Sequence, residues 1–216
     1  MRILILGGDG YLGWPTAMDM CGRGYEVCVV DNYLRRRMAK ESDSEPLFQN
    51  PDMEERAKRF SAISGLSMRV ECFDCSEYEP LRDLVRDFSP DTIIHYAEQP
   101  SAPYSMKGFS EANLTFRNNL NSTFNVIWSV IEHAPNCHIV KLGTMGEYGT
   151  PNIDIEEGWL DVTHNGRSHT FLYPRQAGSL YHTTKVLDTD LLWFYVRTYG
   201  LRVTDLMQGP VYGLST

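Results

Sequence analysis

Near its N-terminus the chain reads Arg2-Ile-Leu-Ile-Leu6 and then Gly7-Gly8-Asp9-Gly10-Tyr11-Leu12-Gly13. A short apolar run stops at a glycine cluster, and apolar residues then recur at helical spacing to about Gly24, so the opening unit is strand, turn, helix. The same alternation continues outward. Strands are predicted over Glu26–Val30, Met68–Phe73, Thr92–Tyr96, His138–Leu142 and Arg202–Leu206, with helices over Tyr78–Phe88, Glu111–His133 and Ser179–Tyr199. Strands alternating with helices imply right-handed crossovers, so the expected fold is α/β: a doubly wound parallel sheet with helices on both faces, forming one domain over residues 1–216. Two stretches interrupt the pattern. Residues 32–64 form an insertion, irregular to Asn50 and then a charged helix from Pro51, expected as a flap beside a ligand. Residues 146–178, rich in Gly, Pro, Asn and Thr, are expected as a long irregular loop that serves a site.

With 216 residues, 42% hydrophobic and 22% charged, the chain has ample material for a buried core. A net charge of -8 argues against a nucleic-acid partner, which clustered Lys and Arg would have to hold, and favours a small-molecule substrate. No apolar run reaches the roughly 20 residues that span a bilayer, and the first strand begins at Arg2, leaving no room for a signal peptide; a cytoplasmic location is expected. Five cysteines, Cys21, Cys28, Cys72, Cys75 and Cys137, are scattered and read as reduced. Cys72 and Cys75 have no second Cys or His pair nearby, so no metal is expected. The Asn113 and Asn121 sequons carry no information in such a chain.

The glycine cluster is a GxxGxxG directly after a strand and at the mouth of a helix. Glycines there let the backbone turn tightly and approach a pyrophosphate, whose charge rests on the helix N-terminus. Gly7, Asp9, Gly10, Tyr11, Leu12 and Gly13 are therefore candidate dinucleotide contacts. Asp31, at the end of the second strand, is placed to accept hydrogen bonds from the adenosine ribose, and repels a 2′-phosphate, favouring NAD over NADP. Asn32 follows it. Arg35, Arg36 and Arg37 leave that preference open, since they are equally a 2′-phosphate site or a solvated basic run. Asp74 is placed to meet the adenine edge or to close a strand-end turn.

Tyr181-His182-Thr183-Thr184-Lys185 is a YxxxK at the start of a predicted helix. Residues four apart share a helix face, so the ammonium can favour the ionised phenol and make Tyr181 a proton acceptor near neutral pH. Thr144, after the fifth strand, completes a constellation that chance does not readily supply.

Together these motifs resemble the extended short-chain dehydrogenase/reductases, the nucleotide-sugar epimerase/dehydratase family, whose fold is Rossmann-type. The resemblance implies that Thr144 hydrogen-bonds the substrate hydroxyl, that Tyr181 is the acid/base, and that Lys185 tunes it and holds the nicotinamide ribose. Asn119 matches the helix asparagine of the family's NNxxGT pattern and is assigned to the cofactor site, with Ser122 in place of the usual glycine. Met145-Gly146 stands where the 4,6-dehydratases carry Asp-Glu, so their eliminating carboxylates are absent.

Within that family, Val140-Lys-Leu-Gly-Thr-Met-Gly-Glu-Tyr-Gly149 and the run on to Gly158, Thr163-His-Asn-Gly-Arg167, Gln208-Gly-Pro-Val-Tyr-Gly213 and Ser101-Ala-Pro-Tyr-Ser-Met106 look like the UDP-sulfoquinovose synthase branch. That resemblance implies UDP-glucose and sulfite as substrates. It also implies C4 oxidation with NAD, loss of water across C5 and C6, addition of sulfite at C6 and return of the hydride to C4. His182 and Glu147 are the candidates for the elimination's proton transfers or for positioning the loop. Gln99, Ser101, Thr144, Met145, Gly146, Glu147, Tyr181 and Gln208 are assigned to the substrate. Pro100 stands where arginine is usual, so a positive charge beside the substrate is lost, which implies either a shifted preference or an arginine role taken over by Arg175 or Arg167. The family also implies a smaller C-terminal substrate domain, mostly absent from this chain, and a homodimer through the helices at 111–133 and 179–199. Trp128, Trp193 and Tyr195 are equally readable as core. Other readings are a 4-epimerase or another nucleotide-sugar oxidoreductase, and a non-catalytic NAD-binding module.

Overall fold

The computed structural model describes residues 1–212 except 45, 47, 48 and 157. Strand β1 (Arg2–Leu6) is followed by α1 (Gly13–Gly22), β2 (Glu26–Asp31), α2 (Leu34–Glu41), α3 (Met53–Ser64), β3 (Arg69–Cys72), α4 (Tyr78–Phe88) and β4 (Thr92–His95). Then come α5 (Ala102–Ser105), α6 (Phe109–His133), β5 (His138–Thr144), β6 (Trp159–His164), β7 (Arg167–Leu172), α7 (Leu180–Tyr199) and β8 (Arg202–Gln208). Six strands form one sheet in the order β3-β2-β1-β4-β5-β8, every pair parallel. The chain winds outward from β1 in one direction and from β4 in the other, which opens a crevice beyond the carboxyl ends of these two strands, where doubly wound sheets bind their ligands.

Alternate residues of each strand face opposite layers. Leu4, Leu6, Cys28, Val30, Ile93 and Ile139 pack with Leu81, Val85, Val126, Ile127 and Val130 of α4 and α6. Ile3, Ile5, Val27, Val29 and Ile94 pack with Trp14, Ala17 and Cys21 of α1 and Met53 of α3. Burial on both faces explains why these strands read as continuous apolar runs, each large side chain worth roughly 1.5–3 kcal/mol. On α6 and α7 the aromatic residues divide. Trp128 donates to the Tyr195 hydroxyl at 3.1 Å within a packed cluster, whereas Trp193 stacks edge-on against Trp159 of β6.

Two expected irregular stretches hold regular elements. The stretch from Asn32 to Asn50 includes α2, whose Met38 is buried. The stretch at 146–178 includes the antiparallel hairpin β6-β7. His164 pairs with Arg167 across a two-residue turn in which Asn165 and Gly166 have φ of 49° and 73°. Both central residues at positive φ match the right-handed twist of the strands, and Asn-Gly is the pair that adopts this turn most readily. The hairpin signal was present in the sequence, but exposure of most hairpin residues blurs the alternation that would mark the strands.

Candidate active site

The glycine turn is built by close approach. Gly7 sits at φ +88°, and a Cβ there would lie 2.8 Å from the Tyr96 carbonyl carbon. At Gly13 a Cβ would come within 2.0 Å of the Gly7 carbonyl oxygen, so the first turn of α1 packs directly on the loop. Gly7 and Gly8 both donate their N–H to the Val30 carbonyl, at 2.8 and 2.9 Å, which pins the turn to the end of β2. Gly10 meets only the Gly7 carbonyl, at 3.1 Å, so a Cβ is crowded there by the turn alone. Tyr11 and Leu12 are half-buried and lead into α1.

Asp31 closes this end. Its carboxylate accepts from the backbone N–H of Asp9 at 3.0 Å and of Tyr33 at 2.7 Å. Burial raises its pKa, against the pull of those N–H donors. Asn32 donates to Asp74 at 2.8 Å, and Asp74 also accepts from Ser76 N–H at 2.8 Å, so Asp74 closes a turn at the end of β3. The three arginines part company. Arg36 grips both carboxylate oxygens of Asp9, at 2.6 and 2.7 Å, while Arg37 donates to the Asn32 carbonyl. Arg35 is exposed and donates no hydrogen bond to the described residues. This donor set and the glycine cradle fit a dinucleotide.

The second cluster lies where β5 meets α7. Ser179 caps α7, accepting from His182 N–H, and Ser105 accepts from Tyr181 N–H at 3.1 Å, which fixes the tyrosine at the first turn. Thr144 Oγ1 accepts from Gly146 N–H at 3.2 Å at the end of β5. Lys185 reaches Glu98 at 2.8 Å and donates to the Leu142 carbonyl at 2.6 Å. Its ammonium stands 5.8 Å from the centre of the Tyr181 ring. The expected effect on the phenol is therefore reversed: burial raises the pKa of Tyr181, and the charge of Glu98 raises it further. Lys185 is ion-paired with Glu98 beside it.

Behind the pair is a buried set of charges that the motifs did not announce. Lys141, fully buried, donates to the Lys185 carbonyl at 3.1 Å and lies 3.8 Å from both Glu147 and Asp205. Asp188, one turn beyond Lys185, is buried; burial and the Glu98 charge raise its pKa well above the ordinary value, against the pull of Lys141 and Lys185. Burial would raise Glu98 too, but Lys185, Lys141 and His95 outweigh it and hold this carboxylate ionised. His95, buried beneath, is pushed down to about 4 by burial. The sequence signal was there: Lys141 interrupts an apolar strand, and Lys185 and Asp188 fall on the buried face of α7.

Several assigned residues are buried. Asn119, expected at the cofactor, is fully buried; it accepts from Gln99 N–H at 2.8 Å and donates to Thr184 at 3.0 Å, bracing α6 against α7. Gln99, expected at the substrate, is also fully buried and donates to Thr115 at 2.7 Å, while Ser101 caps α5. Glu147 points away from the cleft toward Lys141 and Arg175, the latter at 3.3 Å, and burial raises its pKa. That geometry suits positioning of the loop. Arg175 is thus engaged in the interior, and Arg167 sits on the exposed hairpin. His182 stays near the surface of the site, Nδ1 paired with Ser179 Oγ at 2.9 Å and its other edge against Gly146, where a Cβ would lie 2.5 Å from Nε2. Burial and Lys185 lower its pKa, so it is neutral near pH 7. Met145 is exposed, and Gln208 ends β8 in register with Thr144.

The sequence is 45% identical to UDP-sulfoquinovose synthase, chloroplastic, of Spinacia oleracea, over all of this chain and 45% of that protein. It is 46% identical to UDP-sulfoquinovose synthase of Sulfolobus acidocaldarius, over all of this chain and 55% of that one. The chain thus spans about half the length of these curated relatives. Among solved structures, UDP-glucose 4-epimerase of Thermus thermophilus in complex with NAD superimposes with a TM-score of 0.72 at 24% identity, over 99% of this chain and 56% of that one, a likeness of fold. The profile of the NAD dependent epimerase/dehydratase family matches residues 3–216, and the chain belongs to that family.

Proposed function

We propose that this chain is the NAD-binding, proton-transferring part of a UDP-sulfoquinovose synthase, acting on UDP-glucose and sulfite. The observation that carries this reading over a simple 4-epimerase is the likeness, along the whole chain, to two proteins of that name at 45% and 46% identity, against 24% for a mammalian UDP-glucose 4-epimerase.

NAD bound across the glycine turn supplies a hydride acceptor, and later a donor, beside the sugar. Tyr181 exchanges the proton of the C4 hydroxyl, Thr144 orients that hydroxyl, and Lys185 positions the tyrosine. A phenol whose pKa is raised holds its proton near neutral pH and, once deprotonated, is a strong base; for the forward step Lys185 has to loosen from Glu98 and turn toward it. His182, neutral and at the rim, is the better placed of the two candidates for the C5–C6 elimination, because Glu147 faces Lys141 and Arg175. Sulfite then adds where the water left. With Pro100 exposed in place of arginine and Arg175 engaged inside, the sulfite site draws its charge from elsewhere.

We further propose a homodimer through α6 and α7, supported by exposed Phe116, Phe124, Leu187 and Phe194 on those helices. A cytoplasmic location accords with the finding that no helix among the described residues is long and apolar enough to cross a membrane. The test is incubation with UDP-glucose and NAD, with and without sulfite, with products identified by mass spectrometry. A sulfite-dependent sulfonated nucleotide sugar is expected. Sulfite-independent UDP-galactose would move the assignment to an epimerase, and NAD binding without product to a binding module.

A further inference from the structure

The insertion at 32–64 reaches back to the glycine turn at one point. Asp9, the residue before Gly10, receives Arg36 of α2 on both oxygens and Arg56 of α3 on one, and its side chain is only 10% exposed. Arg36 is further committed to the backbone carbonyls of Asn50 at 2.9 Å and Pro51 at 2.8 Å. The Arg56 guanidinium lies 4.2 Å from the centre of the Trp14 ring on α1. Asp9 is also next to Asp31: its N–H donates to the Asp31 carboxylate. Two arginines therefore stand beside the carboxylate that marks the ribose end of the dinucleotide, and both are claimed by a residue of the turn itself.

We infer that Asp9 is a specificity-determining residue for the cofactor, excluding 2′-phosphorylated dinucleotides by holding Arg36 and Arg56 in ion pairs. A 2′-phosphate near Asp31 needs a guanidinium to offset its charge, since a carboxylate alone repels it. Arg36 has the chemistry for that and lies close by, but Asp9 occupies its fork. The sequence alone left the arginine run readable either way; the clasp decides it. Asp9 adds its own negative charge at the same place. The inference deepens the NAD-binding reading of this site and rests on it.

The test is equilibrium binding of NAD and NADP to the protein and its variants by calorimetry, which requires no turnover. The wild-type protein is expected to bind NAD and to discriminate strongly against NADP. Asp9→Asn, which keeps size and backbone, is expected to release Arg36 and shift the NAD/NADP affinity ratio toward NADP by at least about tenfold, the effect of one charge-assisted hydrogen bond gained. Asp9→Glu retains the charge and should keep the wild-type ratio. In Asp9→Asn/Arg36→Met the gain in NADP binding should vanish. Should the Asn variant not fold, judged by circular dichroism, Asp9→Ser carries the same expectation. A ratio unchanged within about twofold in a folded Asp9 variant overturns the inference. Failure of the wild-type protein to bind either dinucleotide overturns the cofactor reading instead.

Discussion

The glycine turn and the cluster behind Tyr181, proposed above to serve cofactor and substrate, are built in opposite ways. The turn, residues 7–13, is made of backbone: what matters is the absence of side chains at Gly7 and Gly13, and the contacts that demand it come mostly from the adjoining turn and strands. The cluster is made of charged side chains from the loop after β4, from β5 and from α7, namely Glu98, Lys141, Lys185 and Asp188. A backbone site is written in consecutive residues, whereas a charge cluster is written in residues that meet only after the sheet has formed. The first tolerates no added volume; the second, buried as it is, also depends on its charge balance.

The largest expected effect separates chemistry from structure. Tyr181→Phe should lower turnover by about 10²–10⁴-fold with folding and NAD binding retained, the usual worth of a positioned acid or base. Unchanged turnover would remove Tyr181 from the chemistry. Next comes Glu98→Gln, which leaves Lys185 buried without its anionic partner. Loss of about 3 kcal/mol in urea unfolding is expected, as for other broken buried pairs, together with a lower Tyr181 pKa, since Glu98 raises it. A shift of the acid limb of the rate profile to lower pH checks the second half, and an unmoved limb would show that Glu98 does not act on the phenol.

Gly13→Ala probes the backbone end. Its Cβ would meet the Gly7 carbonyl at 2.0 Å, so α1 must move; a stability loss of roughly 1–3 kcal/mol and weaker NAD binding are expected. Gly24→Ala, where nothing lies within 4 Å of the added Cβ, controls for bulk, although its φ of +84° carries a conformational cost of its own. The smallest effect concerns Asp188. Its folded pKa is raised, so the folded chain holds a proton that the unfolded chain releases as pH rises above the ordinary carboxylate range. Its contribution to stability is present below the unfolded pKa and declines as pH rises toward the folded one. Asp188→Asn should remove that decline, so that its stability relative to wild type rises between pH 5 and pH 8 in urea unfolding. A parallel pH dependence in both proteins would mean that Asp188 is ionised when folded.

How much of this was legible in the sequence differs between the two ends. The strands of the sheet, the GxxGxxG and Asp31 were readable because each is a local pattern tied to one period or one turn. Thr144, Tyr181 and Lys185 were readable as motif, but not the direction of Lys185, which the buried Glu98 determines. Asn119 and Gln99 were assigned to ligands from the motif alone, and their hydrogen bonds to each other, Thr115 and Thr184 were not legible, because those partners lie far apart in the chain. The hairpin at 159–172 carried Asn165-Gly166 as its signature, yet its exposed strands lack the apolar alternation that would have revealed them.

Sequence by itself determined the parallel α/β sheet, the dinucleotide turn and the tyrosine–lysine pair, since apolar period, glycine spacing and helical spacing act within a few residues. Tertiary structure alone decided that Lys185 pairs with Glu98, that Glu147 faces inward and that Asp9 claims Arg36 and Arg56. Those are choices among partners far apart in the chain. They are settled by burial, where a charge removed from water must find whichever opposite charge the packed elements bring within reach.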